Sequence, residues 1–151
     1  MKKIFPLIVA FLLSACFVVP TAQPTETPSA PFTLVAEENP YAPKIEDASL
    51  HLAGAVVTSI NLSERTDLTP PRVAINFLGS MPNSCNELRL KINPPNNNYQ
   101  IFIELYSLTN PKIKCQNVFQ QFEANVLLGV YSSGRYTVWV NDKLVGDFIA
   151  H

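Results

Sequence analysis

The amino-acid sequence predicts an all-β protein, an antiparallel β-sandwich of about seven strands that follows a signal peptide and a proline-rich linker. Three observations predict this organisation. The chain begins with a short apolar leader, continues with a run rich in proline, and changes near residue 55 to segments in which apolar and polar residues alternate. We therefore place the signal peptide at residues 1–15, the linker at 16–46 and the sandwich domain at 47–151.

The leader has the parts of a secretory signal. Lys2 and Lys3 give it a positive start, residues 4–13 are almost entirely apolar, and an L-S-A-C motif ends at Cys16. This motif resembles the lipobox of bacterial lipoproteins. The resemblance implies cleavage before Cys16, lipid on its thiol, and a mature protein anchored at the extracytoplasmic face of the cell membrane. The alternatives are an ordinary signal peptide cut elsewhere and an uncleaved membrane helix, which needs about 20 apolar residues.

The charge of the chain is close to neutral. It has 11 basic and 12 acidic residues, which give a formal net charge of −1. Loss of Lys2 and Lys3 with the leader lowers the basic count from 11 to 9 and leaves the mature chain about three charges negative. The remaining basic residues are scattered singly, whereas nucleic-acid binding needs a clustered positive surface. We therefore expect no nucleic-acid partner.

The linker is defined by its prolines. Proline has no backbone N–H and biases the residue before it toward extended backbone, which disfavours a helix or a central strand. An extended tether between membrane and domain is therefore expected. Phe32, Leu34 and Val35 form the one apolar patch of this region and are candidates to pack back on the domain. The prolines are Pro20, Pro24, Pro28, Pro31, Pro40 and Pro43.

Seven segments beyond the linker have the period-two alternation of half-buried strands. Turn-forming residues separate them, and the P-P-N-N-N run at residues 94–98 predicts a hairpin between the third and the fourth segment. Neither helical periodicity nor a repeat of fixed length is evident. A single sandwich domain is therefore expected. The segments are residues 56–62, 72–77, 88–92, 101–105, 122–128, 136–140 and 144–149.

The cysteine spacing predicts a disulfide bond. With Cys16 assigned to lipid, Cys85 and Cys115 remain as a pair in an oxidising compartment. Cys85 lies just before the third strand and Cys115 lies beyond the end of the fourth, and a hairpin brings those two ends together. A redox-active pair is disfavoured because there is no C-x-x-C motif and neither cysteine has a histidine nearby in sequence. The bond is expected to fix the loop that follows the fourth strand.

Two motifs carry a resemblance to a known kind of protein. One is G-x-x-P-x-x-C at residues 79–85, followed by Cys115, and the other is S-G-x-Y-T-V-x-V-N at residues 133–141. On these motifs, the region from about residue 56 to the end resembles bacterial lipoproteins with a C-terminal immunoglobulin-like β-sandwich domain. The resemblance implies that Tyr136 is a tyrosine corner, with its ring in the core and its hydroxyl bonded back to the chain.

The sequence contains no recognisable catalytic constellation. His51 lies near the linker and His151 is the last residue, so a Ser-His-acid triad or a histidine metal site would depend on chain ends. The acidic residues are dispersed over strands and turns without the spacing of a calcium-binding loop. We therefore expect no enzymatic activity, no cofactor and no metal.

Aromatic and cationic side chains form a candidate binding surface. They lie on the sides of three strands that face away from the core, so they line one surface if those strands share a sheet. Carbohydrate and peptide binders require such a surface. The alternative is cross-strand packing of the rings beneath the linker or beside a sheet edge, and the sequence leaves both open. The candidate residues are Arg89, Phe102, Tyr106, Arg135 and Trp139, with Lys91 beside them.

Two classes of function fit these observations. The first is a lipid-anchored structural or protein-interaction module of the cell envelope. The second is a binder of envelope glycans or an inhibitor of extracellular proteases, which would present a loop near residues 93–98 or 116–121. The expected partners are the membrane, through the N-terminal lipid, and an envelope protein or glycan.

Overall fold

A computed structural model of the protein describes residues 29–151, and the leader with Cys16 lies outside the described residues. This part of the chain contains ten β-strands, seven of which span six residues or more. The all-β sandwich predicted from the sequence is confirmed. The strands are β1 (Thr33–Val35), β2 (His51–Ala53), β3 (Val56–Arg65), β4 (Arg72–Met81), β5 (Glu87–Ile92), β6 (Gln100–Thr109), β7 (Gln120–Leu127), β8 (Val130–Tyr131), β9 (Gly134–Val140) and β10 (Lys143–Ala150). A 3-10 helix, Ile45–Ser49, precedes β2.

The smaller of the two packed sheets contains β3, β4 and β7, all antiparallel. The alternation in β4 directs Val73, Ile75 and Phe77 into the core, where each is buried. An irregularity in β3 between Val57 and Ser59 changes the side to which the first residues point. As a result Val56, which the alternation pattern places with the core residues, is 59% exposed.

The larger sheet has the order β10-β9-β6, with β5 on the other edge of β6. β2 continues along the same edge of β6 as β9, beyond the end of β9. The pair β6 and β9 runs parallel, from Gln100 opposite Thr137 to Ile103 opposite Val140. All other strand pairs of the described chain are antiparallel, so this pair departs from the purely antiparallel sandwich expected from the sequence.

Asn141 fills the gap that β9 and β2 leave along the edge of β6. Its side chain accepts a hydrogen bond from the Leu105 amide at 2.8 Å and donates to the Leu105 carbonyl at 2.9 Å. Asn141 and Asp142 have φ angles of 46° and 64° and form the two-residue turn between β9 and β10. Positive φ at both central residues is the mark of the type I′ hairpin turn, which asparagine and aspartate tolerate.

Tyr136 lies at the centre of the core between the two sheets. Its ring is fully buried and packs against the rings of Tyr99, Tyr131 and Phe148, with centroids 5.1 to 5.5 Å apart. Its hydroxyl donates a hydrogen bond to the carbonyl oxygen of Ser132 at 2.8 Å. This is the arrangement that the resemblance implies for a tyrosine corner.

The segment before the 3-10 helix belongs to the folded domain. β1 pairs with β8, the backbone of Glu38 pairs with Leu127 of β7, and the Tyr41 carbonyl accepts a hydrogen bond from the Leu90 amide of β5 at 2.9 Å. Pro31 and Pro43 flank these paired residues and Pro40 lies among them, so none of the three interrupts a bond. Residues that the sequence-based boundaries assign to the linker are therefore paired with strands of the sandwich. We call residues 32–41, which connect the edges of the two sheets, the N-terminal strap.

The disulfide between Cys85 and Cys115 is present, with the two Cα atoms 5.8 Å apart, which confirms the pairing predicted from the sequence. The β5–β6 hairpin brings the two cysteines together because Glu87 pairs with Leu108. Between residues 111 and 121 every residue except Cys115 is exposed. The bond is therefore the attachment that holds this loop to the sandwich.

We expect the double substitution Cys85→Ser/Cys115→Ser to lower the free energy of unfolding by roughly 3 to 4 kcal/mol, because the disulfide restricts a loop of about 30 residues in the unfolded chain. Denaturant unfolding measures this difference, and trypsin should cut the variant faster after Lys112 and Lys114. Unsubstituted protein treated with a reductant is the control and should match the variant. Equal stability of the oxidised protein and the variant would contradict the expectation.

Candidate functional site

The structure brings the candidate residues to one face of the larger sheet. β5, β6 and β9 share this sheet. Each of the five side chains occupies a strand position that faces away from the core. The sequence-based condition that these strands lie in one sheet is therefore met. The five side chains differ, however, in exposure and in the contacts they make.

Phe102 and Trp139 are direct neighbours in the parallel pair and stack with ring centroids 5.9 Å apart and planes inclined by 28°. Both side chains are half-buried, and the Trp139 indole N–H donates to the Thr137 hydroxyl at 3.1 Å. On the far side of Trp139 lies Leu144 of β10, which is 56% exposed. Phe102, Trp139 and Leu144 thus form a line across three strands, which we call the aromatic row.

Leu144 was not among the residues that sequence reasoning selected. The signal that places it is the two-residue turn at Asn141 and Asp142, because such a turn fixes the register and aligns Leu144 with Trp139. Alternation alone predicts the last segment as an independent strand and gives no register relative to Trp139.

Charged residues near the aromatic row are paired with each other. The Arg135 guanidinium donates to the Asp147 carboxylate at 2.8 Å, and Lys91 lies 2.7 Å from the Glu104 carboxylate. Hydrogen bonds from Lys91 and from Asn93 lower the pKa of Glu104 below its usual value. The row is therefore flanked by ion pairs that are neutral overall.

Arg89 does not belong to an exposed binding surface, which corrects the sequence-based selection. Its side chain is 5% exposed and binds both carboxylate oxygens of Asp47 at 2.7 Å, and it also contacts Glu87 at 2.8 Å. The 3-10 helix carries Asp47 over β5 and covers the guanidinium. Sequence reasoning missed this partner because it is 42 residues away and lies beside the expected linker boundary.

The contact between Asp47 and Arg89 changes the ionisation of both groups. The hydrogen bonds from the Arg89 guanidinium lower the pKa of Asp47 to about 2, against the opposing effect of burial. The same bonds raise the pKa of Arg89. The pair is thus a charged structural contact between the 3-10 helix and the larger sheet.

Tyr106 lies opposite Arg89 and is half-buried. Glu104 separates it from Phe102 along β6, and within residues 29–151 its ring stacks on no other aromatic ring. Tyr106 therefore belongs to the end of the face that the 3-10 helix covers. The aromatic row and Arg135 form the accessible part.

Metal ligands, membrane-spanning helices and cavities are the other features of the described chain that bear on function. Over residues 29–151, no group of three or more His, Cys, Asp or Glu side chains lies close enough to hold a metal ion, and no helix is long and apolar enough to cross a membrane. A cavity of about 60 Å³ opens beside Tyr131 and Phe148 and has room for a few water molecules. Burial raises the pKa of Tyr131 to about 12, which keeps its hydroxyl protonated.

Comparison with known proteins gives one match. A family model described as the ORF11 beta-sandwich domain matches residues 75–150, about half of the chain. The matched region runs from within β4 to the end of β10 and so contains the aromatic row and both cysteines of the disulfide. The chain matches no curated protein and no solved structure.

We expect Asp47→Asn to lower the free energy of unfolding at pH 7 by on the order of 2 kcal/mol, because Arg89 then keeps only Glu87 as an ionic partner. The folded pKa of Asp47 lies below the unfolded value, so its contribution is complete above about pH 4 and is lost as the pH falls toward about 2. Denaturant unfolding between pH 2 and pH 7 measures this dependence.

The variant should show a weaker loss of stability in that acidic range than the unsubstituted protein. Glu46→Gln is a matched control, because Glu46 lies on the same 3-10 helix and its carboxylate forms no ion pair with any residue of the described chain. Identical pH profiles for Asp47→Asn and the unsubstituted protein would rule out the proposed role of the carboxylate.

Proposed function

Because the chain belongs to the ORF11 beta-sandwich domain family, we propose that it is a binding protein that uses the outer face of its larger sheet to hold a protein partner. In this proposal it is not an enzyme, and lipid on Cys16 anchors it at the extracytoplasmic face of a cell membrane. The observation that carries the proposal is the aromatic row of Phe102, Trp139 and Leu144 on an accessible sheet face.

The aromatic row has the properties of an interface centre. Tryptophan and other large apolar side chains supply most of the binding free energy in protein interfaces, and a surrounding polar rim excludes water. Strand register and ring stacking hold Phe102 and Trp139 in place, so little conformational freedom is lost when a partner binds. The Arg135–Asp147 and Lys91–Glu104 pairs supply a polar rim that needs no compensating charge on the partner.

A glycan ligand is the second candidate. Half-buried rings beside amide and carboxylate groups are the composition that sugar-binding surfaces use, and Asn93, Gln100 and Glu104 lie near Phe102. The mutual stacking of Phe102 and Trp139 covers one face of each ring and reduces the flat surface on which a sugar could lie. This geometry favours a protein partner over a glycan.

The proposal includes a relation to the immunoglobulin-like domains of bacterial lipoproteins. The buried ring of Tyr136 and its hydroxyl bond to Ser132 support the relation. The parallel pairing of β6 with β9 departs from the antiparallel sheets of that fold, so the relation rests on the tyrosine corner and the sequence motifs. The anchor rests on the L-S-A-C motif and the apolar leader.

We expect Trp139→Ala to reduce capture of the partner from envelope extracts at least tenfold, as removal of a central tryptophan does in other interfaces. The loss of stability should stay near 1 to 2 kcal/mol, because the Trp139 side chain is only half-buried. The core side of β9 is formed by Tyr136, Val138 and Val140. Pull-down with the immobilised protein and thermal denaturation of each variant measure the two effects.

Leu78→Ala is the matched control, because Leu78 is a partly exposed apolar residue of β4 in the other sheet. It should leave capture unchanged. A stability loss of about 3 to 5 kcal/mol for Trp139→Ala would show that the ring is a packing element, and unchanged capture would contradict the proposed interface. Capture that survives protease treatment of the extract would identify a glycan ligand.

We expect Cys16→Ser to abolish lipidation, because the thiol of Cys16 is the acceptor in the proposed lipobox. Labelling of cells with radioactive fatty acid should mark the unsubstituted protein and the Cys85→Ser/Cys115→Ser variant, and leave Cys16→Ser unlabelled. Fatty acid on the Cys16→Ser protein would refute the proposed anchor.

A further inference from the structure

The loop between β6 and β7 exposes apolar side chains at one end of the sandwich. We call residues 110–119 the tip loop. Ile113, Val118 and Phe119 are 56%, 59% and 70% exposed. These side chains contribute little to the core and remain in contact with solvent in the isolated domain.

The apolar residues are held in this position by the local structure. The Asn110 side chain accepts a hydrogen bond from the Lys112 amide at 3.0 Å, and the Asn110 carbonyl accepts one from the Ile113 amide at 3.2 Å. This turn directs Lys112 and Ile113 outward. The disulfide of Cys115 fixes the middle of the loop to the sandwich.

The tip loop also carries unpaired positive charge. Within residues 29–151 neither Lys112 nor Lys114 forms an ion pair, and both are exposed. Glu87, which lies two residues after Cys85, is already bound to Arg89 at 2.8 Å. The loop therefore combines apolar side chains with two lysines that form no ion pair within the described residues.

We propose that the tip loop inserts its apolar side chains into the interfacial region of the bilayer that carries the Cys16 anchor. Lys112 and Lys114 then contact anionic lipid headgroups. Apolar side chains beside lysines are the composition of interfacial membrane-binding segments. Residues 111–119 are exposed except for Cys115, and a fluid interface accepts such exposed side chains without a complementary groove. The choice of this bilayer rests on the anchor of the proposed function.

The tether is long enough for this contact. The described chain starts near Tyr99, whose hydroxyl lies 3.5 Å from the Ser29 carbonyl, and β6 runs from there to the tip loop. The ten residues of β6 span about 33 Å. The 12 residues from 17 to 28 reach up to roughly 40 Å when extended. The length of the tether thus allows the tip loop to lie against the anchoring membrane.

Tryptophan quenching tests the proposal with the full chain reconstituted in vesicles. Trp139 is the single tryptophan of the sequence, so a Trp139→Phe background is silent and Phe119→Trp adds a reporter to the tip loop. The vesicles contain phosphatidylglycerol and phosphatidylcholine with brominated acyl chains. We expect strong quenching of the Phe119→Trp reporter and roughly a tenfold weaker effect after Lys112→Glu/Lys114→Glu. Leu78→Trp in the same background is the matched control and should remain unquenched.

The outcomes separate the proposal from the anchor on which it rests. Quenching that needs both anionic lipid and the two lysines supports it. Equal quenching of the Phe119→Trp and Leu78→Trp reporters overturns it, as does quenching that is the same in vesicles of phosphatidylcholine alone, or a tip reporter that stays unquenched in a vesicle-bound chain. Failure of the chain to remain with the vesicles refutes the anchor, and the proposal fails with it. Thiol titration of each variant under denaturing conditions checks that the disulfide has formed.

Discussion

The structure depends on β6, because one edge of this strand is shared by three successive partners. β9 pairs with its first residues, the Asn141 side chain bonds the Leu105 backbone, and β2 pairs with its last residues. A backbone group left without a partner in this buried strand would cost about 1 to 3 kcal/mol. Asn141 therefore joins two elements that are far apart in sequence, and it also forms the turn that sets the register of β10.

The partners of β6 also divide the outer face of the larger sheet into an accessible end and a covered end. Parallel pairing of β6 with β9 brings Phe102 beside Trp139, and the Asn141 turn adds Leu144 to the line. At the other end of the face, the Asp47–Arg89 contact attaches the 3-10 helix and covers β5. The 3-10 helix thus covers one end of the outer face, and the other end remains accessible. Strand register determines which side chains the accessible end carries.

The sequence predicts the features that depend on neighbouring residues. Period-two alternation locates the seven long strands, and the hairpin before Cys115 gives the disulfide. Features that depend on residues far apart in sequence cannot be predicted in this way. The burial of Arg89 requires Asp47, 42 residues away, and the parallel pairing of β6 has no local signal. Backbone pairing of the strap has no such signal either, because proline content indicates where a helix is absent, while pairing in an extended segment leaves little trace in composition.

The N-terminal strap has a consequence for the order in which the domain forms during synthesis. The Phe32 amide bonds to the Ser132 hydroxyl across 100 residues of sequence, and β1 pairs with β8 at a similar separation. Contacts between residues so far apart in sequence cannot form until nearly all of the chain has left the ribosome. They also slow folding, because a long loop must close first. Residues 32–35 therefore pair only after β8 has been synthesised, late in the assembly of the sandwich.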